Sequence, residues 1–285
     1  MPLKDIYHAL IDSSLARWTA AALARALPEP HVALTFYDVA MPGLPAHLSG
    51  LRVLHISDLH FRPGSELARE LPDLAATVPH DFTVYTGDFI DTDESIEAVG
   101  RILERMPRCD GVFAVLGNHD YLSHGRINRF NDIQRLRAVL RDAGIDILSN
   151  VSRPVCGGEL FIAGVDDPAL GYDDLSQAFS GVPDGACSLL LAHSPDIVLR
   201  LGRHRPGLVL AGHTHGGQVR LPIVGAVHTE SRIPRRLAMG LNEHQGTQVF
   251  VSRGVGYSGL DIRLGCPPEA AVLTLRSSLA AEHAA

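Results

Sequence analysis

The chain has 285 residues, 46 % of them hydrophobic, and its 25 basic and 32 acidic side chains leave a net charge of −7. That hydrophobic content suits one large globular α/β unit, and the acidic balance excludes broad nucleic-acid binding through a basic face. Cys109, Cys156, Cys187 and Cys266 have no C-x-x-C spacing, so neither a thiolate zinc cluster nor a dense disulfide framework is indicated. They are expected to be reduced and buried in a cytoplasmic protein, with a single disulfide left open.

In chain order, residues 1–43 are read as an N-terminal amphipathic segment ahead of the first strand. Tyr7, Ile11, Leu15, Trp18 and Ala22 fall at helical spacing within 6–27. Two readings stand: a helix packed on the body or on a second subunit, and a helix lying in a membrane surface. Asp5, His8, Asp12 and Arg17 interrupt any apolar run, so no signal peptide or membrane span is expected there. Residues 44–278 are read as the main domain and 279–285 as a tail. Within the domain, apolar runs at 51–56, 82–86, 111–116, 188–191 and 208–211 read as buried strands. Helices are expected at 66–77, broken near Pro72, and at 95–106 and 131–143, the last closed by Gly144. From residue 145 the pattern shifts to short strands and turns, including 145–148, 154–156, 160–163, 248–252 and 270–274. A helix-rich first half and a strand-rich second half suit two sheets packed face to face with helices outside.

Each of the five buried runs ends in metal-seeking residues. The blocks are Asp58-Leu59-His60, Gly87-Asp88, Gly117-Asn118-His119-Asp120, Ala192-His193 and Gly212-His213-Thr214-His215. Strand ends are where sites form on α/β sheets. Carboxylate, imidazole and an amide carbonyl suit manganese, iron or zinc, with manganese favoured. Two-metal sites hold their ions roughly 3.5–4 Å apart, which requires a bridging ligand. Asp88 is the natural bridge. Asp58, His60 and His215 are assigned with it to one ion, and Asn118, His193 and His213 with it to the other. Gly87, Gly117 and Gly212 precede ligands where the backbone must turn sharply or pass close. His119, beside Asn118, is the candidate proton donor to a leaving group because imidazole titrates near neutral pH.

In these blocks the sequence resembles the calcineurin-like metallophosphoesterases, whose signatures D-x-H, G-D-x-x-D, G-N-H-D/E, H and G-H-x-H all occur in order between about residues 51 and 274. GHTHGGQVR at 212–220 and GCPPE at 265–269 further resemble a bacterial subgroup that includes membrane-associated phosphoesterases. The resemblance implies a four-layer αββα sandwich of two mixed sheets. It also implies a dinuclear centre on the seven ligands above, with a metal-bridging hydroxide as nucleophile. By resemblance, Asp91 orients His119, and Asp120 is the local competitor for that task.

The expected reaction is phosphoester hydrolysis, by a phosphodiesterase or phosphatase. Gln218 is a candidate amide donor to substrate. Arg232, Arg235 and Arg236 would suit a diphosphate or an anionic lipid headgroup, a solvated charge cluster being the plainer account. The subgroup resemblance adds a pyrophosphohydrolase acting on a UDP-diacylglucosamine, a nucleotide-linked lipid. Cyclic-nucleotide phosphodiesterase and phosphoprotein phosphatase stay open, as does oligomeric state. A metal-free scaffold should show broken ligand positions, whereas all seven are present. Among the other histidines, His55 is read as packed in the first buried strand, and His124 and His228 as loop residues near the motifs. His8, His31, His47, His80, His204, His244 and His283 are read as surface or core residues.

Overall fold

The computed structural model describes residues 31–62, 67–123 and 130–278. The helix expected within 6–27, His124 and the 279–285 tail lie outside the described residues. The first sheet contains β1 (Ala33–Met41), β2 (Arg52–Ile56), β3 (Phe82–Thr86), β4 (Gly111–Val115), β5 (Asp146–Ile147) and the final strand β14 (Glu269–Ser277), ordered β1-β14-β2-β3-β4-β5. The second contains β6 (Val151–Val155), β7 (Leu160–Gly164), β8 (Ser188–Leu191), β9 (Leu208–Ala211), β12 (Gly240–His244) and β13 (Thr247–Val251), ordered β12-β13-β9-β8-β7-β6. A separate hairpin joins β10 (Arg220–Leu221) to β11 (Gly225–Ala226).

Each large sheet is mixed. β2, β3, β4 and β5 run parallel, as do β7, β8, β9 and β13, while β14, β6 and β12 pair antiparallel to their neighbours β2, β7 and β13. The central parallel strands read as unbroken apolar runs because both faces are covered. Val53, Val84 and Val115 from the first sheet pack against Leu189, Leu191, Leu208 and Leu210 from the second, forming the inter-sheet core. On the first sheet's outer face, Leu54, Ile56 and Tyr85 meet Leu71 of α1 (Leu67–Ala76), Val99 of α2 (Ile96–Leu103) and Leu136 and Leu140. The last two belong to α4 (Ile133–Asp142), which follows a single-turn helix, α3 (Asn118–Tyr121). Across the second sheet's outer face lie α5 (Leu175–Ala178) and the 3-10 segments Pro195–Arg200 and Arg235–Leu237, which cover Leu190, Val209 and Val251. The architecture is the expected αββα sandwich, with short turns serving as its outermost layer on that side.

Three expectations change. The domain does not begin at residue 44: β1 pairs with β14 along all nine of its residues and forms the edge of the first sheet. Its signal is weak because an edge strand buries little. Val39 and Met41 are fully covered, but Phe36 is 62 % exposed. The helix at α1 is continuous through Pro72, whose ring is buried beside Leu71 and Ala75 on the face toward the sheet. Cys109 and Cys156 are half-buried rather than buried, and all four cysteines are free. Elsewhere the reading holds, as in α4, where Asp132 accepts a cap bond from the Arg135 N–H at 3.1 Å and Gly144, at φ 82°, ends the helix.

Leu191→Ala, in the middle of the inter-sheet core, should cost about 2–5 kcal/mol in urea unfolding, because a large-to-small change there leaves a cavity. Phe36→Ala, on the exposed edge, should change stability by less than about 0.5 kcal/mol.

Candidate metal centre

The parallel strands β2, β3, β4, β8 and β9 deliver Asp58, Asp88, Asn118, His193 and His213 from their C-terminal ends. The loops there are tightly constrained. Asp58, His60, Asp88, His213 and His215 all have positive φ, between 40° and 67°. For side-chain-bearing residues this conformation costs about 1 kcal/mol or more each, and such strain gathers at functional sites. The surrounding backbone offers no room for relief. A Cβ on Gly117 would collide with Asp88 Oδ1, and one on Gly212 with Ser57 Oγ and Asp58 Oδ2.

Among the described residues three groups could each hold a metal ion, with one ligand atom per residue lying within 4.8 Å of the others: one is His60/Asp91/His119, and the expected ligands converge as the other two, Asp58/His60/His215 and Asp88/His193/His213. Asp88 Oδ2 lies between them, 3.1 Å from His193 Nε2 and 3.4 Å from His60 Nε2. Its other oxygen accepts the His119 backbone N–H at 2.8 Å. The tautomers follow from the outer contacts. His193 Nδ1 donates to the Thr86 carbonyl at 2.7 Å, and His213 Nε2 donates to the Glu230 carbonyl at 2.8 Å. Their remaining nitrogens, His193 Nε2 and His213 Nδ1, therefore point at one another across 3.1 Å. Likewise His60 Nδ1 donates to Asp91 Oδ1 at 2.7 Å, and its Nε2 faces His215 Nε2 at 3.0 Å. In the His193/His213 pair these outer bonds leave two lone pairs facing each other, an arrangement suited to a shared cation, whereas the guanidinium of Arg263 donates to His215 Nδ1 and leaves the proton of that ring on the nitrogen toward His60. Asn118 Oδ1 is buried without a hydrogen-bond partner among the described residues, another acceptor aimed at a cation. The donor set thus fits hard or borderline divalent ions.

The electrostatics separate the two facing imidazoles, favouring charge on His193 beside Asp88 and a neutral His213. Burial disfavours a charge on Asp88, yet His193, His119 and His60 hold its carboxyl well below the usual range. Burial also works against charge on His193, and Asp88, Asp58 and Asp167 outweigh it and raise that imidazole. Burial and the neighbouring His193 push His213 down to about 4, so it stays neutral, as a ligand must.

A family profile for calcineurin-like phosphoesterases matches residues 51–217, more than half of the chain. The chain belongs to that family. This calcineurin-like phosphoesterase is similar to the uncharacterized metallophosphoesterase YkoQ of Bacillus subtilis, at 32 % identity over 80 % of this chain and 84 % of that one. It is also similar to the phosphodiesterase YaeI of Escherichia coli, 29 % identical over 79 % of this chain and 82 % of the other. A third relative is the UDP-2,3-diacylglucosamine pyrophosphatase LpxG of Chlamydia trachomatis, 27 % identical over 80 % of this chain and 84 % of that protein.

Other expected residues of the phosphoesterase are placed differently from one another. His119 lines the cleft that opens over the metal groups, which has a volume of about 1050 Å³, and its ring stands edge-on to His60 at 5.0 Å. Asp91 lies within reach of both rings, but its hydrogen bonds go to His60 Nδ1 and Arg62 Nε rather than to His119. Despite burial, His60 and Arg62 hold its carboxyl well below the usual range. Asp120 does not orient His119 either. It accepts the backbone N–H groups of Asp88, Phe89 and Gly117 at 2.8–3.0 Å and braces the loop that carries Asp88. Gln218 lines the cleft, yet its amide is spent on Ser258 and Leu260: Nε2 donates to both carbonyls and Oε1 accepts the Ser258 N–H. Of the three arginines, Arg232 lines the cleft and Arg235 and Arg236 do not. His228 also lines it, while His55 is buried against Thr86 and driven to about 3 by burial.

Two residues of the site went unread in the sequence. Arg263 is caged by the carbonyls of Arg253, Gly254, Gly256 and Cys266 and reaches His215 Nδ1 at 3.3 Å. Asp196 accepts from Ser231 Oγ and from the N–H groups of Arg232 and Ile233, pinning the cleft wall. The only sequence signal for Asp196 is its place three residues after His193, following Ser194-Pro195.

Asp120→Ala would leave several buried N–H groups without an acceptor. It should destabilise the metal-stripped protein by at least about 3 kcal/mol in chemical denaturation. A loss under 1 kcal/mol would deny Asp120 its bracing role.

Proposed function

We propose that this protein is a phosphoester hydrolase that works with two divalent ions, manganese favoured. Asp58, His60 and His215 would hold one ion, Asn118, His193 and His213 the other, and Asp88 would bridge them. The observation that supports this reading is Asp88 Oδ2, set 3.1 Å from His193 Nε2 of its own triad and 3.4 Å from His60 Nε2 of the other, beside the unpartnered Asn118 Oδ1. Bound there, a divalent pair supplies hydroxide at neutral pH and neutralises the phosphoryl oxygens.

The chain's own groups do the rest. Thr86 O, Glu230 O and Asp91 fix the ring orientations of His193, His213 and His60, the outer support that a ligating imidazole needs. Asp91 thus acts as a positioning residue for His60 and lies within reach of His119, the partner that the family resemblance implies. Asp120 holds the backbone of Asp88 in its strained conformation. His119, at the cleft floor beside Asn118, hands a proton to the departing alkoxide.

The substrate reading rests on the cleft. Its volume, about 1050 Å³, stands at the upper end of small-molecule sites and exceeds what a simple phosphodiester fills. Arg232 lines it and is suited to anionic oxygens, while Arg200, also on the lining, is paired with Asp173 at 3.0 Å. Together with the likeness to LpxG, this favours a nucleotide-linked diphosphate, possessing a lipid portion, over a cyclic nucleotide. The likeness to YaeI supports the broader diesterase activity.

Metal-stripped protein should hydrolyse bis-p-nitrophenyl phosphate only after manganese is restored. Failure of every divalent ion to restore turnover would remove the hydrolase reading. Asp88→Asn should nearly abolish turnover and reduce the metal content of the loaded protein. His119→Ala should keep both ions by elemental analysis and lower kcat by roughly 10²–10⁴-fold. Unchanged kcat in that variant would assign the proton to another group.

A further inference from the structure

Among the described residues, the exposed apolar surface is concentrated rather than scattered. Five of the nine exposed large hydrophobic side chains, Leu221, Ile223, Val224, Val227 and Leu264, belong to the 220–226 hairpin and its immediate flanks. Ile223 is fully exposed at 107 % and Val224 is 67 % exposed. The tip is a three-residue turn closed by the Val224 N–H donating to the Pro222 carbonyl at 2.8 Å, with Ile223 at φ 69°. Folding alone would favour glycine or asparagine at such a position. A β-branched residue there is strained, and exposing it to water gains nothing. A side chain kept at that cost, projecting from the fold, is placed to enter another medium.

The surroundings say which medium. β11 packs against the Arg235–Leu237 turn, so exposed Arg235 and Arg236 flank the apolar finger. Neither arginine has an ion-pair partner among the described residues. A narrow apolar tip is too small to form a protein interface of ordinary area, which needs roughly 800 Å² per partner. Apolar side chains that can enter the acyl boundary, next to cations at headgroup level, match an anionic bilayer. A shallow groove of about 570 Å³ lined by Leu221, Pro222, Ile223 and Leu264 runs alongside. The finger is also tied to the site: a Cβ on Gly217, two residues after His215, would lie 2.6 Å from Ala226 Cβ of β11.

We infer that the 220–226 hairpin is a lipid-docking finger, inserting Ile223 and Val224 into an anionic membrane surface while Arg235 and Arg236 meet its headgroups. Docked this way, the molecule brings the turn that carries His215 close to the bilayer. The inference goes beyond the hydrolytic reading, because vesicle binding is measured without turnover.

Flotation of the full chain with vesicles of equimolar phosphatidylglycerol and phosphatidylcholine tests it. The protein should float with them. Ile223→Asp combined with Val224→Asp should reduce partitioning at least about tenfold. Arg235→Gln combined with Arg236→Gln should reduce it roughly tenfold, with little residual preference over pure phosphatidylcholine. Both variants should keep the wild-type thermal midpoint and bis-p-nitrophenyl phosphate turnover. As a second measurement, Ile223→Trp in a Trp18→Phe background places one indole at the tip, since the chain has a single tryptophan. Its emission should shift to the blue on vesicle addition and be quenched by brominated acyl chains. Wild-type flotation by the Ile223→Asp/Val224→Asp protein would overturn the inference and assign membrane contact to another part of the chain. So would an unquenched indole, a wild-type protein that stays with the soluble fraction, or a change in particle mass without lipid that marks the finger as a contact between copies.

Discussion

One carboxylate oxygen joins the two halves of this molecule. Asp88 Oδ2 belongs to the loop after β3 in the first sheet, and its neighbour at 3.1 Å, His193 Nε2, follows β8 in the second. The Thr86 carbonyl, which accepts from His193 Nδ1 at 2.7 Å, and the Asp58 carboxylate, which accepts the His213 N–H at 3.0 Å, tie the same two sheets at the site. The inter-sheet core, with Leu189 and Leu191 against Val84 and Val115, sets the spacing that makes these contacts possible. Packing and chemistry are therefore not separate matters here. The apolar layer between the sheets fixes where the ligand loops meet, and a shift there would be felt at Asp88 first.

Around that oxygen the protein accepts local strain in exchange for fixed geometry. Five of the seven proposed ligands occupy left-handed backbone, and the glycines beside them leave no space for a different path. Such a constellation holds its shape only if neighbouring bonds over-determine it. Asp120 does this for the Asp88 loop, and the carbonyls of Thr86 and Glu230 do it for two of the imidazoles. Arg263, buried among carbonyls behind His215, has the same character. Asp91 adds a carboxylate behind His60, the arrangement that fixes a tautomer before any ion arrives.

The distribution of surface features gives the molecule a direction. The cleft opens between the metal groups and a wall pinned by Asp196, with Arg232 on its rim. The exposed hairpin grows from the same loop that supplies His213 and His215. Two of the proposed ligands, one wall of the cleft and the apolar finger are thus carried by one continuous stretch, residues 212–236, which links the candidate site to whatever surface the finger touches.

Much of this was legible in the residues alone. Short unbroken apolar runs such as SLLL and LVLA suit strands covered on both faces, and metal-seeking side chains directly after them point to a site at one edge of the sheet. The sandwich and the capped helix at 133–142 follow from local pattern, and so does the proposal of seven ligands at the strand ends. Edge strand β1 did not, because only two of its nine residues are buried and its alternation is faint. Roles that depend on partners distant in the chain were decided only by the tertiary structure. Asp91 bonds His60 across 31 positions and Arg263 meets His215 across 48. Asp120 turns inward to backbone N–H groups, and Gln218 spends its amide on a neighbouring loop. Spacing along a chain reports which face a side chain occupies. Which of several equally suitable acceptors it finds is set by how the two sheets stack, and no local pattern contains that.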